Sequence, residues 1–175
     1  MQMQGERSID ASRSDVWAAL NDAEVLKACI PGCETLEKTS PTTFEATVMQ
    51  KVGPVKARFK GSVELSDIVE TEGYTITGEG KGGAAGFAKG GATVRLTDEG
   101  SGTLLTYQAE AKVGGKLAQL GSRLIDGFAR KMADDFFTRF QQAVEGPASD
   151  SDEETETSGD APDEKKKGWF RRMIG

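Results

Sequence analysis

Apolar and polar residues alternate with a period of two through most of the chain between Cys33 and Val113. The clearest run is "VKARFKGSVEL" (55–65), in which every second residue is apolar or small and the intervening ones are mainly charged. This period is typical of a strand with one buried and one solvated face. Similar runs occupy 43–50, 74–80, 92–97 and 104–113, with turn residues between them. The pattern predicts six antiparallel strands after an N-terminal strand at 2–9.

Helical spacing replaces this alternation between the first two predicted strands. From 11 to 33 the apolar residues recur at steps of three and four, at Val16, Trp17, Leu20, Val25, Leu26 and Ile30. Asp10 or Ser12 is expected to cap the first helix. Asn21 and Asp22 divide the segment into two short helices, and Pro31-Gly32 ends the second.

The same spacing predicts one long amphipathic helix over about 115–145. Its apolar stripe consists of Leu117, Leu120, Leu124, Phe128, Met132, Phe136, Phe140 and Val144. Such a helix is about 45 Å long, enough to cross a whole sheet. The element order therefore predicts an α+β fold: a seven-stranded antiparallel sheet curved around a long C-terminal helix, with two short helices between strands 1 and 2.

Charge divides the chain into three parts. Residues 1–145 hold 17 bases and 20 acids, residues 146–164 hold eight acids and no base, and residues 165–175 hold five bases and no acid. We therefore expect a folded domain (1–145), a disordered acidic linker (146–164) and a basic terminal segment (165–175). The net charge of −6 argues against a general nucleic-acid binder.

The terminal segment "KKKGWFRRMIG" combines bases with a compact apolar face. On a helical wheel Trp169, Phe170, Met173 and Ile174 lie together, opposite Arg171 and Arg172. Eleven residues make about 16 Å of helix, too short to cross the bilayer. The pattern predicts a reversible membrane-surface segment, in which Lys165, Lys166 and Lys167 also contact anionic lipid. The alternatives are a linear motif that docks into a protein groove, or an inert end.

The composition excludes several chemistries. The chain has no histidine, so catalytic triads and histidine acid/base chemistry are excluded in their usual forms. Cys29 and Cys33, in "CIPGC", are expected to be free thiols in a reducing compartment, with a disulfide or metal pair as the alternative. We see neither a signal peptide nor an apolar run of about 18 residues, and we expect a cytoplasmic protein without a metal site.

The glycine-rich stretch 78–92 formally contains G-x-G-x-x-G at Gly78, Gly80 and Gly83. A strand follows it instead of the helix that phosphate binding needs, so we interpret it as a hairpin at a sharp bend of the sheet. Small residues on the covered face would leave an apolar ligand cavity. We expect its lining to be Phe44, Phe59, Gly61, Ile76, Gly78, Phe87, Val94, Tyr107, Ala109, Ala111, Leu120, Leu124 and Phe128.

Three features of the sequence have an alternative interpretation. The aromatic residues could simply fill the covered space. Tyr107 could donate a hydrogen bond to a ligand carbonyl or to the backbone. The alternating bases Lys51, Lys56, Arg58 and Lys60 form a solvated face or a basic docking patch.

Several segments resemble the CoxG family, the G subunits of carbon monoxide dehydrogenase, which is a branch of the START/Bet v 1-like (SRPBCC) helix-grip superfamily. They are "VWAALND" (16–22), "VLKACIPGCE" (25–34), "FKGSVEL" (59–65) and "GEGKGGAAGFAKGGATVRL" (78–96). The resemblance covers about 1–145 and implies a seven-stranded sheet wrapped on a long helix, with an apolar cavity between them. It also implies association with molybdenum-containing carbon monoxide dehydrogenase or a related oxidoreductase at the inner face of the cytoplasmic membrane. The family offers no established catalytic residues.

Together these points predict a non-catalytic carrier that has no catalytic cofactor. Its cargo would be a respiratory quinone (menaquinone or ubiquinone), and its tail would visit anionic lipid on the cytoplasmic membrane. Two other functions stay open: a membrane anchor for the oxidoreductase without ligand transport, and a cyclase/dehydratase-type enzyme of the same superfamily.

Overall fold

The computed structural model describes residues 1–146, which contain a seven-stranded antiparallel sheet and three α-helices. The strands are β1 (Gln2–Ile9), β2 (Cys33–Ser40), β3 (Thr43–Val52), β4 (Val55–Val69), β5 (Gly73–Lys81), β6 (Phe87–Glu99) and β7 (Gly102–Gly114). The helices are α1 (Arg13–Leu20), α2 (Ala23–Cys29) and α3 (Ser122–Glu145), and two 3-10 helices span Gly83–Ala85 and Gly115–Leu120. The predicted fold class is confirmed.

The strand order is β1-β7-β6-β5-β4-β3-β2, so that the first two strands of the chain form opposite edges of the sheet. The α1–α2 segment joins these edges and packs against α3. Ser12 caps α1 by accepting a hydrogen bond from the Asp15 amide, and Asp22 caps α2 by accepting one from the Glu24 amide. After α2, Gly32 takes a positive φ of 77°, which turns the chain into β2.

The long helix begins later than its apolar stripe predicts. Gly115–Leu120 form a 3-10 helix, and α3 starts only at Ser122. Gly121 separates the two with φ 89° and ψ 154°, a conformation that is essentially restricted to glycine and cannot continue a helix. The 24 residues of α3 therefore make about 36 Å of helix rather than 45 Å.

We call the space between the sheet and α3 the grip, and the core fills one end of it. Its buried apolar residues are Ile9, Val16, Leu20, Cys29, Phe44, Leu65, Tyr74, Val94, Leu96, Leu105, Phe137 and Phe140. Trp17 of α1 packs on Tyr74 of β5 with 5.3 Å between ring centroids, and Phe136 stacks on Phe140 at 5.6 Å. These contacts join α1, the central strands and the C-terminal half of α3.

Candidate functional site

The strand register places small residues next to one another on the inner face of the sheet, the face that carries the core. Ala92 of β6 lies opposite Ala109 of β7 and Ile76 of β5. One pleat further along the strands, Gly90 lies opposite Ala111 and Gly78. Because side chains on one face of an antiparallel sheet follow this register, the small residues form a continuous surface across the central strands.

Burial differs sharply between the two halves of this inner face. Leu65, Val94, Leu96 and Leu105 are buried. In the other half the inner-face residues are only partly buried, namely Gly61, Gly78, Gly80, Gly90, Ala92, Ala109 and Ala111. An added Cβ at Gly80 would have no other atom closer than 3.9 Å, whereas at Gly61 and Gly90 it would lie 2.7 and 2.0 Å from backbone carbonyl oxygens of the neighbouring strands. The space between sheet and helix is thus tightly packed at the core end and less tightly packed beyond it, in the region we call the hollow. Val52, Ala85 and Leu117 are buried again at the far connections and border this region.

Shorter side chains continue the buried stripe of α3 towards its N-terminus. Phe137 and Phe140 define the buried stripe of α3, and steps of three and four towards its N-terminus lead to Ala133, Ala129 and Asp126. These three are half-buried, and Asp126 Oδ1 is buried without a hydrogen-bond partner among residues 1–146. Sequence reasoning missed them because it followed large apolar residues. Counting back from Phe140 would have found them.

Tyr107 lies where the filled half meets the hollow half. Its ring stacks on Phe137, with ring centroids 5.2 Å apart. It also covers Gly5, where an added Cβ would lie 2.8 Å from the Tyr107 hydroxyl oxygen. Gly5 therefore makes room for this side chain, which remains half-buried.

Other predicted lining residues lie at the edge of the hollow or outside it. The Phe59 ring covers Gly82, and Leu124 is 39% exposed beside Gly53 in the β3–β4 turn. Phe87 does not lie on the inner face as predicted. It pairs with Lys81 and Gly114, one residue out of step with the inner-face residue Ala88, and it is 38% exposed. Gly86, immediately before β6, has a positive φ of 114°. Leu120 and Phe128 are half-buried.

A depression of about 1570 Å³ borders the small residues of β5, β6 and β7. Its lining includes Ile76, Ala92 and Ala109, together with outward-facing polar residues such as Thr77 and Lys89. Because consecutive residues of a strand point to opposite faces, this volume includes open space outside the sheet. The depression is therefore not a closed apolar cavity.

Both cysteines are free thiols, as predicted. Burial raises the pKa of the Cys29 thiol, opposed by the charge of Arg139. Burial also raises the pKa of the Cys33 thiol, which donates a hydrogen bond to the Thr35 carbonyl at 3.3 Å. Within residues 1–146, no group of three or more cysteine, aspartate or glutamate side chains could hold a metal ion.

The predicted membrane-binding residues, 165–174, and most of the acidic linker lie outside the described residues. In the described part, no helix is both long and apolar enough to span a membrane.

The family model for CoxG, the G subunit of carbon monoxide dehydrogenase, matches residues 5–145, which is nearly the whole described domain. The chain belongs to the CoxG family. The match includes both the small-residue surface of the sheet and the helix above it. Among curated proteins, none matches the sequence of this CoxG-family chain.

Solved structures share the fold. A conserved protein from Geobacillus kaustophilus is 30% identical, with a TM-score of 0.78 over 83% of this chain and 95% of its own. A Thermus thermophilus protein is 18% identical, with a TM-score of 0.64 over 86% and 100% of the two chains. A START superfamily protein from Mycobacterium smegmatis is 14% identical, with a TM-score of 0.63 over 82% and 97%. The latter two show the START-like fold alone.

Proposed function

We propose that this CoxG-family chain is a non-catalytic carrier that binds a lipophilic molecule, a respiratory quinone, between the sheet and α3. The observation that carries the proposal is the half-filled grip. Inner-face residues are buried at one end, whereas the glycines and alanines beyond them are only partly buried. A fold that needed only a core would fill this space, because protein interiors pack as densely as organic crystals.

The chemistry of the hollow suits a quinone. Ligand sites of this kind are mostly apolar, with a few polar groups that fix orientation. The Tyr107 hydroxyl can donate a hydrogen bond to a quinone carbonyl. The unpartnered Asp126 Oδ1 can accept one from a quinol hydroxyl. The alanine and glycine surface leaves an elongated apolar strip for an isoprenoid chain.

The family supports the link to an oxidoreductase, because it is named after carbon monoxide dehydrogenase. Electrons from such an enzyme must reach quinones that are dissolved in the membrane, and a carrier would move quinone between the two. We propose that the tail 165–175 attaches the chain reversibly to the inner face of the cytoplasmic membrane during this exchange.

An enzyme of the cyclase/dehydratase type is supported less well. The chain has no histidine to act as acid or base. Asp126 is the only acid on the inner stripe of α3 between Ser122 and Phe140, so the helix offers no pair of carboxylates there. The anchor without cargo gives no role to the partly buried glycines and alanines of the inner face.

Solvent extraction of the purified full chain, followed by mass spectrometry, tests the proposal. A quinone or another isoprenoid lipid should co-purify with the parent. Ala109→Trp and Ala111→Trp should abolish co-purification, because the large side chains enter the hollow. Gln108→Trp and Glu110→Trp are the matched controls, since these residues point to the outer face of the same strand. Equal ligand content in all four variants would contradict a site in the hollow, and extraction of no lipid from the parent would favour the anchor.

A further inference from the structure

Charge is sorted between the two ends of the sheet. We call one end the glycine end; it contains the β3–β4 turn at Gly53, the connection 82–86 between β5 and β6, and the segment 114–121 before α3. The opposite end, the acidic end, contains the β4–β5 and β6–β7 turns. The small inner-face residues lie towards the glycine end, because Gly61 pairs with Gly80 next to the Lys60–Lys81 pair that precedes the 82–86 connection.

The glycine end is strongly basic. Residues 50–60, 80–91 and 111–125 contain nine bases and no acid. All nine are exposed: Lys51, Lys56, Arg58, Lys60, Lys81, Lys89, Lys112, Lys116 and Arg123. Within residues 1–146 only Arg58 of this set has an ion-pair partner, Glu34, at 2.6 Å. The neighbouring acids Glu34, Glu79, Glu110 and Asp126 leave an excess of five positive charges (nine minus four).

The acidic end has the opposite composition. Residues 64–72 contain four acids and no base, and residues 97–103 contain two acids and no base. Arg13 joins the two turns, because its guanidinium donates to Asp98 at 2.9 Å and to the Thr71 carbonyl at 3.1 Å. A chain with a net charge of −6 therefore presents one face that attracts anions.

Two large apolar side chains, Phe87 and Leu124, are exposed among these bases. Leu124 contacts Gly53, and Gly53 lies in the turn that Lys51 and Lys56 flank. Phe87 pairs with Lys81 across β5 and β6. Exposed apolar side chains surrounded by bases are the combination that binds anionic lipid, since the apolar groups enter the interface and the bases meet the headgroups.

We propose that the glycine end is a docking surface for an anionic lipid bilayer. The surface consists of nine bases around Phe87 and Leu124, and its tip, Gly82–Ala84, carries small side chains that allow close approach. Docking places the half of the grip that holds the small residues nearest the bilayer, and a lipophilic molecule would pass the buried side chains of Val52, Ala85 and Leu117 between membrane and protein. This consequence rests on the proposed carrier function, whereas the docking itself depends only on charge and exposed apolar area.

The position of the chain end makes this docking distinct from attachment through the tail. α3 ends at the acidic end, where the Asp10 amide donates to Glu145 Oε2 at 2.8 Å. The tail therefore leaves the domain about 36 Å from the glycine end, the length of α3. The 19 residues 146–164 could extend to about 65 Å, so both attachments can reach one membrane. The tail raises the local concentration of the domain at the membrane, and the glycine end sets its orientation.

Vesicle partitioning of the full chain tests the surface. The background is Trp169→Glu with Phe170→Glu, which removes the aromatic pair of the tail. Vesicles of phosphatidylglycerol and phosphatidylcholine should bind this protein at low salt, and pure phosphatidylcholine vesicles should not. Lys116→Glu with Arg123→Glu should lower the partition coefficient at least about tenfold, because each base contributes about fivefold. The control Lys38→Glu with Arg139→Glu changes net charge equally elsewhere and should lower it less than about threefold.

A second pair of variants separates the apolar contribution from charge. Phe87→Ser with Leu124→Ser should lower partitioning at the glycine end. Ile68→Ser with Val69→Ser is the matched control, since these side chains are 43% and 53% exposed at the acidic end. Circular dichroism checks that every variant is folded. If the charge variants and their control lose binding equally, non-specific attraction explains the result and the proposal is wrong.

Hydrogen exchange on the unmodified full chain reports the orientation. Anionic vesicles should slow exchange at 82–90 and 114–124 but not at 66–73. Protection of 66–73, or no protection within the domain, would overturn the proposal. A third outcome would also overturn it: vesicles do not change hydrogen exchange at 82–90, but an acidic protein slows it. This result would favour a protein partner for the glycine end. Solvent extraction is independent of this result. If the domain docks on vesicles but no lipid can be extracted from it, the carrier proposal is wrong and the docking proposal stands.

Discussion

Tyr74 shows how single residues shape the two halves of the grip. It is buried against Trp17 in the filled half, whereas Tyr107 lies half-buried beside the hollow. Burial raises the pKa of Tyr74 far above its ordinary value, because the phenolate would lose its hydration. The unfolded chain keeps the ordinary value of about 10.

This difference predicts alkaline sensitivity. A raised folded-state pKa contributes stability that is complete below about pH 10 and is lost as the pH rises further. In a Tyr107→Phe variant, Tyr74 is the only tyrosine of the chain. Its phenolate absorbance should stay absent past about pH 10 and appear together with the loss of circular dichroism. The same chain in denaturant should titrate near pH 10. A smooth titration near that value in the folded state would contradict the buried phenol.

At the scale of elements, two glycines decide where the long helix begins and how stable it is. Gly121 adopts a conformation that other residues rarely take, whereas Gly127 has ordinary helical geometry within α3. Neither glycine has another atom within 4 Å of an added Cβ. Substitution at either position therefore reports backbone conformation without a clash.

These two positions make a matched pair. Gly127→Ala should raise the free energy of unfolding by about 1 kcal/mol, because alanine favours the helix. Gly121→Ala should lower it by about 1–3 kcal/mol, because its φ and ψ are strained for alanine. Denaturant unfolding of both variants measures the difference. Equal stabilisation by both would mean that the helix can extend through Gly121.

The terminal segment is also an element with its own test. The full chain should float with anionic vesicles at low salt, because Trp169 and Phe170 enter the interface while the bases meet the headgroups. Trp169→Glu with Phe170→Glu should lower this binding to the level that the glycine end supports alone. Unchanged flotation of that variant would show that the tail does not bind membrane. If this variant still floats but no longer binds the oxidoreductase, the result would favour docking of the tail into a protein groove.

At the scale of the whole molecule, packing and charge divide the domain in the same direction. The core end holds sheet and helix together, the small residues lie beyond it, and opposite charges gather at the two ends. This arrangement leads to a prediction about respiration. The proposed carrier role between enzyme and quinone pool predicts that membranes from a deletion strain lose coupling of substrate oxidation to oxygen consumption, while dye-linked activity of the oxidoreductase persists.

Complementation provides the control for that experiment. The parent chain should restore coupling, the outer-face variant Gln108→Trp should restore it equally, and Ala109→Trp should not. Unchanged coupling in the deletion strain would refute a carrier role in respiration. Restoration by Ala109→Trp would instead favour an anchor, because that variant keeps the tail and fills the hollow.

The amino-acid sequence determined the elements because their signals are local. Alternation depends on the two faces of a strand, and Asp22 and Gly32 act on the backbone beside them, so strand number, helix order and fold class could be read directly. The inner-face alignment of Ala92 and Ala109 also followed from alternation. Gly121 carried a signal as well, but the apolar stripe through Leu117 and Leu120 hid the break.

Only the tertiary structure decided how the halves of the grip differ. Hydrophobicity does not show whether Ala129 and Ala133 meet large or small partners, because that depends on residues distant in sequence. Phe87 is large and apolar like the other predicted lining residues, but the pairing of β6 with β5 and β7 places it on the outer face. The basic segments 50–60, 80–91 and 111–125 are far apart in the chain, and antiparallel pairing brings them to one end. The burial of a side chain and the clustering of charges both depend on residues that are distant in the sequence. The local pattern of the sequence therefore could not predict either of them.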